Sequence, residues 1–199
     1  MSRIYHEGQR KLQREFDTMR LADRLEQVTC RTRITPEDRA FIESRDMFFL
    51  ATADAAGRPN CSYKGGDPGF VRVIDETTIA FPNYDGNGMF LSFGNATVNP
   101  HVGLLFIDFE SPKRLRLNGE AALVRADPSY QAKEAQFTVR VTVRELFPNC
   151  PRYIHKYQLV ERAAHVPRAG VETPVPAWKR FEWAHDVLPA GDRAGDDES

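Results

Sequence analysis

Three stretches of this chain bring together residue types that can hold an anion or a polar ring. Ser62-Tyr63-Lys64-Gly65-Gly66 sets a hydroxyl, an ammonium and two glycine amides within a few positions. Glycine lets backbone N–H groups approach an anion without a Cβ in the way, and lysine adds a full charge, so the combination suits a phosphate. A loose hairpin with a solvated Lys64 is the plain alternative. Pro82-Asn83-Tyr84-Asp85-Gly86-Asn87-Gly88 runs into Met89 as a polar loop that can offer amides and a helix N-terminus to a phosphate or a ring edge. Its asparagines carry donors and acceptors both, and an ordinary turn and cap is the competing reading. From Lys113 to Glu120 the alternation sets Arg114, Arg116 and Asn118 on one face, opposite Leu115 and Leu117. Guanidinium groups there can grip a carboxylate or phosphate, or simply pair with neighbouring acids on a wet face.

The other candidates carry less. His101, after Pro100, reads as a hydrogen-bonded structural residue rather than a general base, and His6-Glu7 is followed by Gly8, Gln9 and Arg10, which leaves a HExxH zinc motif incomplete. Cys150, in Asn149-Cys150-Pro151, is either a thiol activated by a helix N-terminus or a buried inert one. Cys30, Cys61 and Cys150 are odd in number and never form CxxC, which argues against a disulfide framework and a structural zinc site. No Ser/His/Asp or paired-carboxylate arrangement arises from local spacing.

The elements that must position these residues follow from periodicity. His6 to Val28 places Leu12, Phe16, Met19 and Leu25 near one stripe, which predicts an amphipathic helix packed on the barrel or on a partner subunit. Thr35-Pro36-Glu37-Asp38 predicts a short capped helix to about Arg45. From Met47 the pattern becomes short β-branched and aromatic runs separated by turn residues: MFFLATA, PNCSYK, FVRVI and TTIAF, joined as antiparallel hairpins. A short helix from Met89 to about Val98, strands at His101–Glu110 and Lys113–Arg125, a helical stretch opened by Asp127-Pro128-Ser129, a strand at Phe137–Leu146 and a last short helix capped by Asn149-Cys150-Pro151 complete the order. Beyond Glu161 the chain is polar, and its end, GDRAGDDES, reads as a disordered tail. Trp178, Phe181 and Trp183 interrupt that polarity and should dock on the barrel or on a second subunit. The expected organisation is a helical segment at 1–46, a barrel domain at 47–160 and a C-terminal arm with an acidic tail at 161–199.

Composition bounds the function classes. The 199 residues carry 27 Lys plus Arg against 28 Asp plus Glu, a net charge of -1, so no global field gathers nucleic acid. No apolar run reaches the ~18 residues of a membrane helix, and the N-terminus is too charged for a signal peptide, which together lead to an expected cytoplasmic location with no membrane partner.

Taken together, FFLATADAAGRP, SYKGGDPGFVRV, TTIAFPNYDGNGM, NPHVGLLFIDFESPKRLRLNGEA and FPNCPRYIHK resemble, in order and spacing from about Phe41 to Lys156, the pyridoxamine 5′-phosphate oxidase-like family of FMN-binding split barrels, in particular a bacterial subgroup described as pyridoxamine oxidase-related. The resemblance implies a mainly β (α+β) fold, a six-stranded antiparallel split β-barrel with peripheral helices, and a homodimer with FMN at its interface. It implies cofactor contacts at Cys61, Ser62, Tyr63, Lys64 and Gly65 on the second strand, at Pro82, Asn83, Tyr84, Asn87, Gly88 and Met89 after the fourth, at Arg114 and Arg116 from the partner, and at Arg152 with Cys150 as wall residues. The expected activity is flavin-mediated hydride exchange with a small substrate, with NADH or NADPH as candidate donor; a non-catalytic module that binds or senses flavin or haem is the alternative, and a flavin-free dimeric scaffold ranks below both. Family members that oxidise pyridoxamine phosphate have an Arg-rich second strand, where this chain has Pro59-Asn60-Cys61-Ser62-Tyr63-Lys64, and a C-terminal Trp and Arg arrangement to which Trp178-Lys179-Arg180 only loosely compares. That departure points away from vitamin B6 as the substrate.

Overall fold

Seven antiparallel strands form one sheet in the computed structural model, which describes residues 2–198; the strand order is β2-β1-β5-β6-β7-β4-β3. The strands are β1 (Met47–Ala53), β2 (Pro59–Gly65), β3 (Arg72–Asp75), β4 (Thr78–Asn83), β5 (His101–Asp108), β6 (Lys113–Val124) and β7 (Phe137–Pro148). The count exceeds the six expected. β7 is long enough to pair with β6 along one side and with β4 along the other, which brings the β3–β4 hairpin into the same sheet.

The sheet curls because its inward side chains share one core. Phe48 on β1 and Phe81 on β4 are separated by three intervening strands, yet their rings meet edge to face at 4.9 Å, and Phe48 also lies 5.2 Å from Phe106 and 5.9 Å from Phe70. Leu50, Leu104, Leu117, Ile79, Val139 and Val141 fill the rest of this interior. The edge strands β2 and β3 do not pair with each other, so the barrel is split. The loop between them is tied instead to the segment before β1, where Gly66 N–H donates to Asp46 O at 2.9 Å and Gly69 N–H to Glu43 O at 2.7 Å.

Three helices precede the sheet and one interrupts it. The single helix expected from His6 to Val28 is two, α1 (Glu7–Glu15) and α2 (Met19–Thr29). Asp17 between them adopts a left-handed conformation at φ 49, one of the few conformations that ends a helix without glycine, and Asp tolerates it better than most residues. An Arg10–Asp23 ion pair at 2.7 Å spans the two helices, while Leu12, Phe16 and Leu25 of the expected stripe stay exposed. α3 (Pro36–Glu43) forms where its Thr35 cap predicts, with Thr35 Oγ1 accepting from Asp38 N–H, and it buries Ile42 in the core. α4 (Leu91–Val98) lies between β4 and β5.

Two expected helices are absent among the described residues. Asp127 accepts hydrogen bonds from Ser129 and from Arg140 Nε and Nη2 at 2.6 and 2.7 Å, which closes a local turn rather than capping a helix. Asn149 N–H still reaches Arg114 O across from β6, and a single turn at Pro151–Ile154 follows.

The chain divides into two compact units, 1–158 and 159–199. Within the second, short 3₁₀ turns span Ala177–Arg180, Glu182–Val187 and Arg193–Glu198. Trp178 and Trp183 stack at 6.0 Å with Phe181 beside them, and Lys179 Nζ donates to Asp192 Oδ2 at 2.6 Å. Ser199, the last residue of the expected tail, lies outside the described residues. Among the described residues no helix is long and apolar enough to cross a membrane.

The curl has a tight point at the register shift where Asn118 faces Glu145 and Gly119 faces Val143. A Cβ on Gly119 would sit 2.3 Å from the Thr142 carbonyl oxygen and 2.7 Å from Val141 Cγ1. Because one of these is backbone, Gly119→Ala should destabilise the protein by about 1–3 kcal/mol, read as a lower urea midpoint at an unchanged m-value.

Candidate functional site

Strand alternation divides β2 between two environments. Asn60, Ser62 and Lys64 face α4, while Cys61 and Tyr63 are exposed on the other side. On α4, Ser92 is buried and receives both polar side chains of the strand: Asn60 Nδ2 donates to Ser92 Oγ at 3.0 Å, and the Ser62 and Ser92 hydroxyls share a hydrogen bond at 2.9 Å. Asn95, one turn further, donates to Thr52 Oγ1 on β1 at 3.2 Å. The helix is thus held to β1 and β2 by directional bonds, which set its position more narrowly than apolar contact would.

Lys64 ends this row. Its Nζ lies 4.8 Å from the centroid of the Phe93 ring, it is half-buried, and it has no carboxylate partner among the described residues. Burial pushes its pKa below the ordinary lysine range. The first turn of α4 begins beside it, and Phe90, its N-cap, supplies no side-chain hydrogen bond to the helix amides. An uncapped helix N-terminus and a desolvated ammonium next to two serines form a place where an anion with several oxygens is stabilised.

The loop before α4 is shaped by two left-handed residues, Gly88 at φ 73 and Phe90 at φ 49. Glycine adopts that conformation freely; phenylalanine does so at a cost that the surroundings must offset, here through the stack of Phe90 on Phe137 at 6.5 Å. Asn87 Oδ1 accepts from Met89 N–H at 3.1 Å, and Met89 is 62% exposed. Pro82 is buried at the end of β4, and Asn83 Nδ2 donates to Gln136 Oε1 at 2.7 Å.

Some of the expected site residues meet α4 and others do not. Ser62 bonds to Ser92 and Lys64 lies over the Phe93 ring, both in the first turn of α4, while Asn87, Gly88 and Met89 precede that helix along the chain. Gly65 pairs with Met47 in the sheet, and the neighbouring Gly66 amide is already engaged by Asp46. Tyr84 is half-buried on another side, where burial first and then the Asp67 and Glu134 charges raise its pKa. Cys61, Tyr63, Arg114 and Arg116 lie on the outer face of the sheet, away from Lys64 within one chain. Arg152 is exposed after β7, with its guanidinium 5.6 Å from the Tyr153 ring centroid. Asn60, Thr52, Ser92 and Asn95 were not picked out from sequence. The signal was the i, i+2 pair Asn60/Ser62 facing an i, i+3 pair Ser92/Asn95.

A model of the family described as pyridoxamine 5′-phosphate oxidase matches residues 34–166, more than half of the chain. The protein belongs to that family. The match takes in α3, all seven strands and α4, and therefore every member of the polar cluster at Lys64. Among curated proteins no sequence matches this family member. Similar solved structures include HupZ from Group A Streptococcus, 21% identical over 58% of this chain and 93% of that one at a TM-score of 0.47. HutZ, the heme storage protein from Vibrio cholerae, is 24% identical over 58% and 94% at 0.42. An FMN-binding protein from Syntrophomonas wolfei is 11% identical over 70% and 95% at 0.45.

Removing the hub of the cluster should be costly. Ser92→Ala leaves Asn60 and Ser62 without their shared partner and is expected to lower stability by about 1–2 kcal/mol in urea unfolding. A Ser92→Thr variant, which keeps the hydroxyl, should retain more of it.

Proposed function

We propose that this protein is an FMN-dependent oxidoreductase that acts as a homodimer on a small substrate other than pyridoxamine phosphate. The observation that carries the proposal is Lys64: a half-buried ammonium without a counter-ion, beside the uncapped N-terminus of α4. Isolated buried charges are costly, and this one is arranged as though a dianion completes it. The FMN phosphate is such a group, and family membership makes it the leading candidate.

In this reading Lys64 and the first amides of α4 hold the phosphate, while Ser62 donates to the ribityl chain or ring. Asn87 and Met89 form the lip over the ring edge, with Asn83 supporting the loop from β4. Bound FMN would supply hydride exchange with the substrate. The protein's own part is to fix the ring and shield it from water, which fits a site without a nucleophile–base pair. The second strand, Pro59-Asn60-Cys61-Ser62-Tyr63-Lys64, lacks the arginines that would grip a second phosphate, which supports a substrate other than pyridoxamine phosphate.

Purified protein supplemented with FMN should carry a yellow chromophore that NADH or NADPH reduces under anaerobic conditions. A bound flavin that stays oxidised would support the binding-module reading, and a Soret band in place of flavin absorbance would support haem. Lys64→Met should weaken FMN binding by about ten- to a hundredfold, the worth of one charge-assisted contact, as read by fluorescence titration. The cationic form of Lys64 is the one that binds phosphate, and burial lowers its pKa. Affinity should therefore begin to fall at a lower pH than an ordinary lysine would require, and this part of the pH dependence should vanish in Lys64→Met.

A further inference from the structure

The aromatic ring beneath Lys64 is one of a series that reaches the surface. Phe93 meets Phe137 edge to face at 5.4 Å, and Phe137 in turn carries Phe90, whose ring lies 6.5 Å away at 28° to it. Phe93 and Phe137 are buried, but the series ends in water: Met89, Phe90 and Leu91 are three large apolar residues in succession, 62, 49 and 56% exposed. A second cation stands at this end. The exposed Arg125, just after β6, sets its guanidinium 5.7 Å from the Phe137 centroid and makes no ion pair among the described residues. Two rings in contact thus carry one unpaired cation each, Lys64 on Phe93 and Arg125 on Phe137.

Phe90 is a costly choice for its position. A left-handed backbone at φ 49 strains a bulky residue, whereas glycine adopts it freely, and complete burial of the ring would offset the strain. Here the stack on Phe137 covers part of the ring and leaves about half of the residue in water. An open aromatic surface held at a conformational cost, with a free guanidinium on the ring it stacks against, matches a flat ring joined to an anion. Stacking on an aromatic side chain holds a nucleobase without polar contacts to its edges, and arginine grips phosphate with two parallel hydrogen bonds.

We propose that Phe90, Leu91 and Arg125 form a subsite for an adenine nucleotide, the purine lying on the exposed surface at Phe90 and a phosphate on Arg125. This rests on the flavin reading above for its role, and it extends the site beyond the one phosphate that Lys64 takes. Beside a flavin the nucleotide has two sources with the same chemistry: the adenylate half of FAD, continuing from the flavin phosphate, or the adenosine diphosphate half of the NADH or NADPH that reduces the flavin. Either brings a second phosphate and a purine, which are the two groups that Lys64 alone leaves without a partner.

ADP is the probe, titrated by calorimetry into the flavin-free protein. It should bind, and Arg125→Met and Phe90→Gly should each weaken it at least about tenfold. Because glycine relieves the left-handed backbone, Phe90→Gly should lower the urea midpoint little while ADP affinity falls; a ring kept only for packing would lower the midpoint and leave ADP binding as it was. Should Phe90→Gly not fold, Arg125→Met carries the test, since it alters only an exposed side chain. Two further titrations separate the sources. If FAD supplies the adenylate, the flavin-free protein binds FAD at least about tenfold more tightly than FMN, and Arg125→Met removes that difference without changing FMN affinity. If the donor supplies it, FAD and FMN bind alike, and the FMN-loaded protein binds NADH or NADPH with an affinity that Arg125→Met lowers. ADP that does not bind, or that binds parent and variants equally, overturns the subsite even where FMN binds. ADP binding with the expected losses in a protein that takes up no FMN overturns the flavin reading and leaves the subsite standing.

Discussion

The position of Phe48 governs most of what this protein can do. Its ring is fully buried and meets Phe70, Phe81 and Phe106 where the curled sheet closes on itself, so β1 can face the interior in only one way. Across the strand pair, Phe48 stands opposite Lys64. Strand side chains alternate, so a slip of one residue would turn Lys64 and Ser62 outward and bury Tyr63 and Cys61. The hydrophobic cost of displacing one phenyl ring thereby holds a cation against α4 and an aromatic on the outer surface.

Two surfaces of different character follow from that single constraint. On the α4 side, hydroxyls, amides and a half-buried ammonium gather at the start of a helix that has no side-chain cap. On the outer side, the same strands present Phe49, Leu105 and Phe147 beside a row of small residues. The thin sheet carries both because its two sets of side chains are interleaved along the same backbone.

Much of this was legible in the sequence, and the parts that were not have physical causes. The strands from Met47 to Gly119 were readable because β-branched and aromatic runs alternate between turn residues, and the Thr35 cap of α3 because its chemistry is local. The break at Asp17 was hidden, since the hydrophobic stripe continues through it and only a left-handed backbone marks the change. Asp127 resembled a helix cap because its partner, Arg140, comes from a strand that local pattern does not bring near. Lys64 was visible as a candidate, but its want of a counter-ion is a tertiary property. Ser92 was missed for the same reason: a serine in a short apolar helix says nothing until β2 is placed against it.

The central claim is that the Lys64 site is built for the phosphate of a flavin. Calorimetric titration of the purified protein with FMN and with riboflavin, which share a ring and differ by that phosphate, tests it most directly. FMN should bind at least about a hundredfold more tightly, the worth of a doubly charged phosphate on a lysine and a helix N-terminus. Equal affinity for the two, or no binding of either, would contradict it.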